Sequence, residues 1–267
     1  MEGGTMESYM NRISNTGIVP VVKILEKEDA YPLAKALLNG GIDVIEVTYR
    51  SEHATSAIQT ISEQLPDMLV GAGTVLSVEQ AKEAVEAGAK FIITPGFNTK
   101  VVQWCLDHDV EVYPGVSTAS EVEMALSMGL TQLKFFPAES SGGAKKLKDL
   151  SAPYANVHFM PTGGINTKNM HDYLSLPNVE AIGGSFMLPN DLVVAKDWDG
   201  IEALSRSAIK SLLDFQLIHV GINTNSPEES KQVTDTLCSL FHFTQYTKPK
   251  SNFAGVGFCL LYTSPSP

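Results

Sequence analysis

The sequence predicts an α/β protein, a (β/α)8 TIM barrel followed by a short, incomplete α+β extension at the C-terminus, and three observations predict it. Eight short apolar runs recur between residues 18 and 185. They begin about 20–26 residues apart, the length of one strand–helix unit. Amphipathic stretches with apolar residues at i, i+3 and i+4 fill the intervals. An open doubly wound sheet is the alternative arrangement of the same units.

In chain order the runs are IVPVVKI (18–24), DVIEVT (43–48), MLVGAGT (68–74), KFIIT (90–94), VEVYPG (110–115), QLKFF (132–136), VHFMPTGG (157–164) and VEAIGGS (179–185). They are rich in β-branched residues and apolar on both faces, as strands covered by helices on a parallel sheet must be. Between them, EDAYPLAKALLNGG, SVEQAKEAVEAGA and STASEVEMALSMG carry helical spacing, and two of the three end in glycine, which tolerates the left-handed conformation after a helix. Ser77, followed by Glu79 and Gln80, and Ser117 or Thr118 before Glu121 supply N-caps with acids in the first turn.

Composition bounds the function. The 267 residues are 43% hydrophobic with a formal charge of −11. That is enough apolar material for a sizeable core, and the charge leaves no basic field for nucleic acid. No run of eighteen apolar residues and no leader-like N-terminus is present, so no membrane partner is expected. Cys105, Cys238 and Cys259 form no C-x-x-C pair, and reduced thiols in a cytoplasmic protein are the expectation. The histidines show neither H-x-H nor H-E-x-x-H spacing, and no G-x-G-x-x-G or P-loop pattern occurs. The reading is an enzyme without metal or cofactor.

In a (β/α)8 barrel the functional residues stand at the C-terminal ends of the strands. Two ionisable residues lie inside otherwise apolar runs, Glu46 in DVIEVT and Lys134 in QLKFF. Glu46 alone reads equally well as a salt-bridged carboxylate, and Lys134 alone as a lysine reaching past the strand end to solvent. Together they read as a base and an amine nucleophile, since burying an ammonium is costly and favours the neutral amine. Lys23, near the end of PVVKI, is the rival amine in a more exposed setting. Arg50, just beyond the strand of Glu46, suits a carboxylate or phosphate, or is an ordinary exposed arginine. Thr74 in GAGTV and Pro95 in TPGF lie at the mouth, where close approach to a ligand requires small residues, or belong equally to tight turns between strand and helix. Thr162 with Gly163 and Gly164, and Gly183 and Gly184 with Ser185, end the seventh and eighth runs, where such barrels often bind phosphate; each Gly-Gly alone is also an ordinary turn.

EVTYR, VGAGTVL, TPGF, YPGVSTASE, LKFFPAE, MPTGGI and IGGSF, in this order, resemble the 2-keto-3-deoxy-6-phosphogluconate aldolase (4-hydroxy-2-oxoglutarate aldolase) family across residues 13–213. The resemblance implies a class I, Schiff-base aldolase, usually a homotrimer, that cleaves a small keto-acid phosphate to pyruvate and glyceraldehyde 3-phosphate, or 4-hydroxy-2-oxoglutarate to pyruvate and glyoxylate. It implies Lys134 as the imine-forming amine and Glu46 as the proton shuttle. Arg50, Thr74, Pro95 and Thr162 would hold the pyruvate half, and Gly163, Gly164, Gly183, Gly184 and Ser185 the phosphate. A different phosphate-binding barrel enzyme and a noncatalytic sugar-acid sensor remain alternatives.

Residues 214–258 change in composition and read as strand, loop, a helix over 227–240, and a second strand. This segment resembles the opening unit of a glyoxalase-like, vicinal-oxygen-chelate module, with His219 where that family often has a ligand. One ligand does not make a metal site. Residues 259–267 resemble translated adapter sequence, which would make the chain a truncated reading of a longer protein.

Overall fold

A computed structural model describes residues 9–214, 226–241, 245–247 and 260–262. The chain divides into two compact units, residues 1–213 and 214–267. The first opens with helix α1 (Tyr9–Thr16) and then alternates: β1 (Ile18–Val22), α2 (Ala30–Asn39), β2 (Val44–Thr48), α3 (Ala54–Gln64), β3 (Leu69–Gly73), α4 (Val78–Glu86), β4 (Phe91–Ile93) and α5 (Thr99–Asp107). It continues through β5 (Glu111–Tyr113), β6 (Gly115–Val116), α6 (Ala119–Ser127), β7 (Gln132–Phe135), α7 (Gly143–Ser151), β8 (His158–Pro161), α8 (Met170–Leu174), β9 (Ile182–Gly184), α9 (Asn190–Ala195) and α10 (Trp198–Leu213).

Six strands form one parallel sheet in the order β5-β4-β3-β2-β1-β9, and β6-β7-β8 form a second parallel sheet. The fifth apolar run is therefore two strands rather than one, a correction to the expected eight. Pro114 is the cause: it has no N–H to give to a ladder, so the strand breaks there. β5 pairs back to β4 and β6 pairs forward to β7, while the Pro114 carbonyl accepts the Lys134 N–H at 3.0 Å. Two further parallel bridges, Phe159 to Val179 and Thr162 to Gly183, link β8 and its end to the β9 region.

The strands are buried on both faces because two apolar layers meet on them. Ile45, Val47, Val70, Ala72, Phe135 and Phe159 face outward and pack with helix residues such as Leu33, Leu37, Ile58 and Ile61. Alternate residues turn the other way: Val19, Val44, Leu69, Phe91, Ile93, Tyr113 and Met160 form a separate inner cluster with Met10 and Ile13 of α1. Period-two alternation thus assigns Val44 and Glu46 to the inside and Ile45 and Val47 to the helices. Helix α1 is pinned at the N-terminal ends of the strands. Arg12 reaches Asp43 at 2.9 Å, Thr16 also bonds Asp43, and the Tyr9 N–H donates to Glu111 at 2.9 Å.

The helix starts follow the cap chemistry in the sequence. Ser77 accepts the Gln80 N–H at the head of α4, and Asn98 accepts the N–H groups of Lys100 and Val101 at the head of α5. At α6 the cap is Thr118 rather than Ser117, in a complete capping box with Glu121. One Glu121 oxygen, Oε2, accepts from the N–H and hydroxyl of both Ser117 and Thr118, at 2.8–3.2 Å. Partial burial raises the Glu121 pKa, but these hydrogen bonds outweigh it and hold the carboxyl below its ordinary value.

In the second unit α11 (Pro227–Phe241) has proline in its first turn, two acids behind it, and the Glu229 N–H bonded to Ser226 Oγ at 3.2 Å. β10 (Gln245–Thr247) and β11 (Leu260–Tyr262) pair antiparallel. The expected first strand around FQLIHVGI, with His219, lies outside the described residues, as do Cys259 and residues 263–267.

Thr118→Ala is expected to lower stability by about 1 kcal/mol in urea denaturation, the usual value of a lost N-cap. Glu121 is depressed in the folded state, so its stabilisation is complete above the unfolded carboxylate pKa and is lost as pH falls through the folded value. The stability gap between the wild type and Glu121→Gln should accordingly shrink below about pH 4.

Candidate active site

The site is built from strand ends. Glu46 is the third residue of β2 and Lys134 the third of β7, so both side chains project from rigid backbone rather than from loops. Lys134 Nζ donates to Glu46 Oε1 at 3.0 Å and Oε2 at 3.2 Å. Exposure decides what kind of pair this is: the side chains are 5% and 0% accessible, so water screens neither charge. The Phe136 ring lies 5.3 Å from Nζ and covers it from one side.

Room for the pair comes from β3. Its inward positions after Leu69 are Gly71 and Gly73. A Cβ on Gly73 would lie 2.0 Å from Glu46 Oε1, and one on Gly71 would lie 2.0 Å from the Phe91 ring. Gly73 is thus a spacer for the carboxylate, with the alternation of glycines in GAG as its only sequence signal. Thr74, directly after it, has φ 54°, a genuine outlier for a β-branched residue and a form of strain that clusters at functional sites.

The remaining predicted residues gather at the same C-terminal strand ends. Arg50 lies two residues beyond β2 and is exposed; its Nε donates to Thr48 Oγ1 at 3.1 Å, and the Thr48 hydroxyl donates to the Val22 carbonyl at 2.7 Å. Thr48, absent from the predicted site, therefore aims the guanidinium. Pro95 follows β4, half-buried; its carbonyl lies 2.3 Å from where a Cβ on Gly115 would be, so the β6 backbone closes on it. Thr162 follows β8 and is buried, and its Oγ1 has no hydrogen-bond partner. Gly183 stands against that hydroxyl, for a Cβ there would be 2.1 Å from it. Gly163 and Gly164 have φ 106° and 81°, which glycine alone adopts freely. Gly184 is buried and Ser185 exposed at the end of β9. Lys23, the rival amine, is exposed one residue past β1, and the buried amine is Lys134.

Among the described residues, no group of three or more His, Cys, Asp or Glu is placed to hold a metal ion, and no helix is long and apolar enough to cross a membrane. Cys105 is buried, and desolvation pushes its thiol up to about 12, far from a reactive thiolate.

A parallel α/β fold that buries an amine–carboxylate pair at its strand ends is the arrangement a Schiff-base lyase requires. The comparisons give the family. Residues 9–204 match the model for KDPG and KHG aldolase. The chain is 44% identical over 205 residues to the 2-dehydro-3-deoxy-phosphogluconate aldolase of Treponema pallidum, covering 77% of this chain and 98% of that one. It is 44% identical over 199 residues to the KHG/KDPG aldolase of Escherichia coli K12, covering 74% and 93%. Among solved structures it resembles the KDPG aldolase of Legionella pneumophila, with pyruvate captured at low pH as a covalent carbinolamine intermediate. The TM-score is 0.73 at 40% identity, with 76% of this chain and 98% of that one covered. This chain belongs to the KDPG and KHG aldolase family and is an aldolase, a carbon–carbon lyase.

Removing one member of a buried pair strands the other charge. Lys134→Met should destabilise the fold by about 3 kcal/mol, and adding Glu46→Gln should restore most of that loss, because an uncharged pair needs no counter-ion. Urea denaturation of both variants is the check.

Proposed function

We propose that this chain cleaves 2-keto-3-deoxy-6-phosphogluconate to pyruvate and glyceraldehyde 3-phosphate, or 4-hydroxy-2-oxoglutarate to pyruvate and glyoxylate, through an imine on Lys134. The observation that carries the reading is the 3.0 Å contact between Lys134 Nζ and Glu46 in a water-excluding setting. The reaction needs a neutral amine and a nearby group that takes and returns a proton. A carboxylate hydrogen-bonded to the amine can take its proton and give it back.

Lys134 Nζ passes a proton to Glu46 and, as the neutral amine, adds to the C2 ketone; the oxygen then leaves as water with that proton returned by Glu46, giving an iminium. Glu46, through a water molecule, then takes the C4 hydroxyl proton. The C3–C4 bond breaks, its electron pair flows to the iminium nitrogen as an enamine, and the aldehyde leaves. A proton returned to C3 regenerates the iminium, and hydrolysis frees pyruvate and Lys134. The pyruvate captured as a covalent carbinolamine in the Legionella protein supports the covalent addition.

Arg50, held by Thr48, meets the substrate carboxylate, with Thr74 and Pro95 around the pyruvate half. The unpartnered hydroxyl of Thr162 is supplied by a substrate oxygen, as buried polar groups require a partner. The N–H groups of Gly163, Gly164, Gly183, Gly184 and Ser185 receive the phosphate. The two sheets close into one eight-stranded barrel, a reading supported by the Thr162–Gly183 bridge on one side and the Lys134–Pro114 hydrogen bond on the other. Residues 13–213 are the catalytic domain, 214–258 a partial glyoxalase-like segment and 259–267 a non-native tail. A homotrimer in the cytoplasm completes the proposal.

Borohydride reduction with pyruvate should fix an adduct on the peptide containing Lys134, and activity should survive EDTA. An adduct on the Lys23 peptide would overturn the assignment. Lys134→Ala should lose the adduct, and Glu46→Gln should lower kcat by about 10²-fold or more.

A further inference from the structure

Beyond the residues assigned so far, we infer that Glu139 and Tyr173 are positioning residues that set the Gly163–Gly164 turn for the phosphate. This rests on the phosphate placement proposed above and on a closed circuit of contacts around that turn.

The segment leaving β7 runs alongside the segment leaving β8. The Ala138 N–H donates to the Thr162 carbonyl at 2.8 Å and the Glu139 N–H to the Gly163 carbonyl at 3.1 Å. The side chain of Glu139 then lies flat on the turn, for a Cβ on Gly164 would be 2.6 Å from its Cγ. Its carboxylate accepts a hydrogen bond from the Tyr173 hydroxyl on α8. From the other side, the side-chain amide of Asn169, the residue before α8, donates to the Gly164 carbonyl at 3.1 Å, and that of Asn166 at 3.4 Å. The circuit therefore runs from Glu139 to the turn, through Asn169 to α8, and back through Tyr173 to Glu139.

Two features separate this from ordinary packing. Tyr173 is 1% exposed, so its hydroxyl has no bulk water to bond and is committed to Glu139. Burial, then the carboxylate beside it, raises the phenol pKa well above the usual tyrosine value, so it stays a donor throughout the working range of pH. Glu139 itself is exposed and would otherwise swing over the turn, where a free carboxylate opposes an anion. Tyr173 holds the negative charge in one place and the two left-handed glycines in one conformation.

The test is Tyr173→Phe, which keeps the ring and deletes one oxygen, alongside Glu139→Ala and Glu139→Gln at an exposed position. Inorganic phosphate binding, followed by calorimetry, is expected to weaken about fivefold to tenfold in Tyr173→Phe and Glu139→Ala, the effect of losing one charge-assisted hydrogen bond. KM for the phosphorylated keto acid should rise in parallel with kcat little changed. Glu139→Gln, whose amide oxygen still accepts the phenol proton, should retain phosphate affinity. The pyruvate concentration that half-saturates borohydride trapping should be unchanged in all three. Wild-type phosphate affinity in Tyr173→Phe and Glu139→Ala, or equal losses for phosphate and pyruvate, would overturn the inference. Failure of the wild type to trap pyruvate would overturn the Schiff-base reading instead and leave the phosphate result to be judged alone.

Discussion

The structure depends on one constraint: an ammonium and a carboxylate are held together where water does not reach them. Lys134 and Glu46 come from strands of two different sheets and meet at 3.0 Å. Such a pair gains little net stability, because desolvating two charges offsets their attraction. Its geometry must therefore be fixed by everything around it. β2 and β7 fix the two backbones, Gly73 clears the volume that Glu46 fills, and Phe136 shields the amine. A methyl group on Gly73 would occupy the carboxylate's own place.

Most of the fold was legible because parallel strands covered on both sides leave a plain signal, short β-branched runs at even spacing. The exception was VEVYPG, where one apolar run hides two strands; the missing N–H of Pro114 is visible in sequence, but the change of sheet partner is not. The caps of α4 and α6 were legible to within a residue, and the choice of Thr118 over Ser117 turned on which hydroxyl the Glu121 N–H reached.

Within the site, Lys134 and Glu46 stood out because each is a charge in an apolar strand. Arg50 was visible as a charge near a strand end, but Thr48, which orients it, was hidden as one more β-branched strand residue. Gly73 carried its role in what it lacks, which only three-dimensional adjacency to Glu46 shows. Glu139 and Tyr173 were invisible for a different reason. They are 34 residues apart, and neither an acid after a proline nor a tyrosine in a short helix is unusual. Their meaning lies in the bond between them, made where Glu139 lies against the turn at Gly164.

Helix α1 closes the end of the sheet opposite the paired charges, with Met10 and Ile13 packed among the inward side chains of six strands. The N-terminal ends of the strands are thereby filled, and the ends left open to a ligand are those near which Lys134 and Glu46 stand. A helix that touches neither charge thus decides the side from which they are approached.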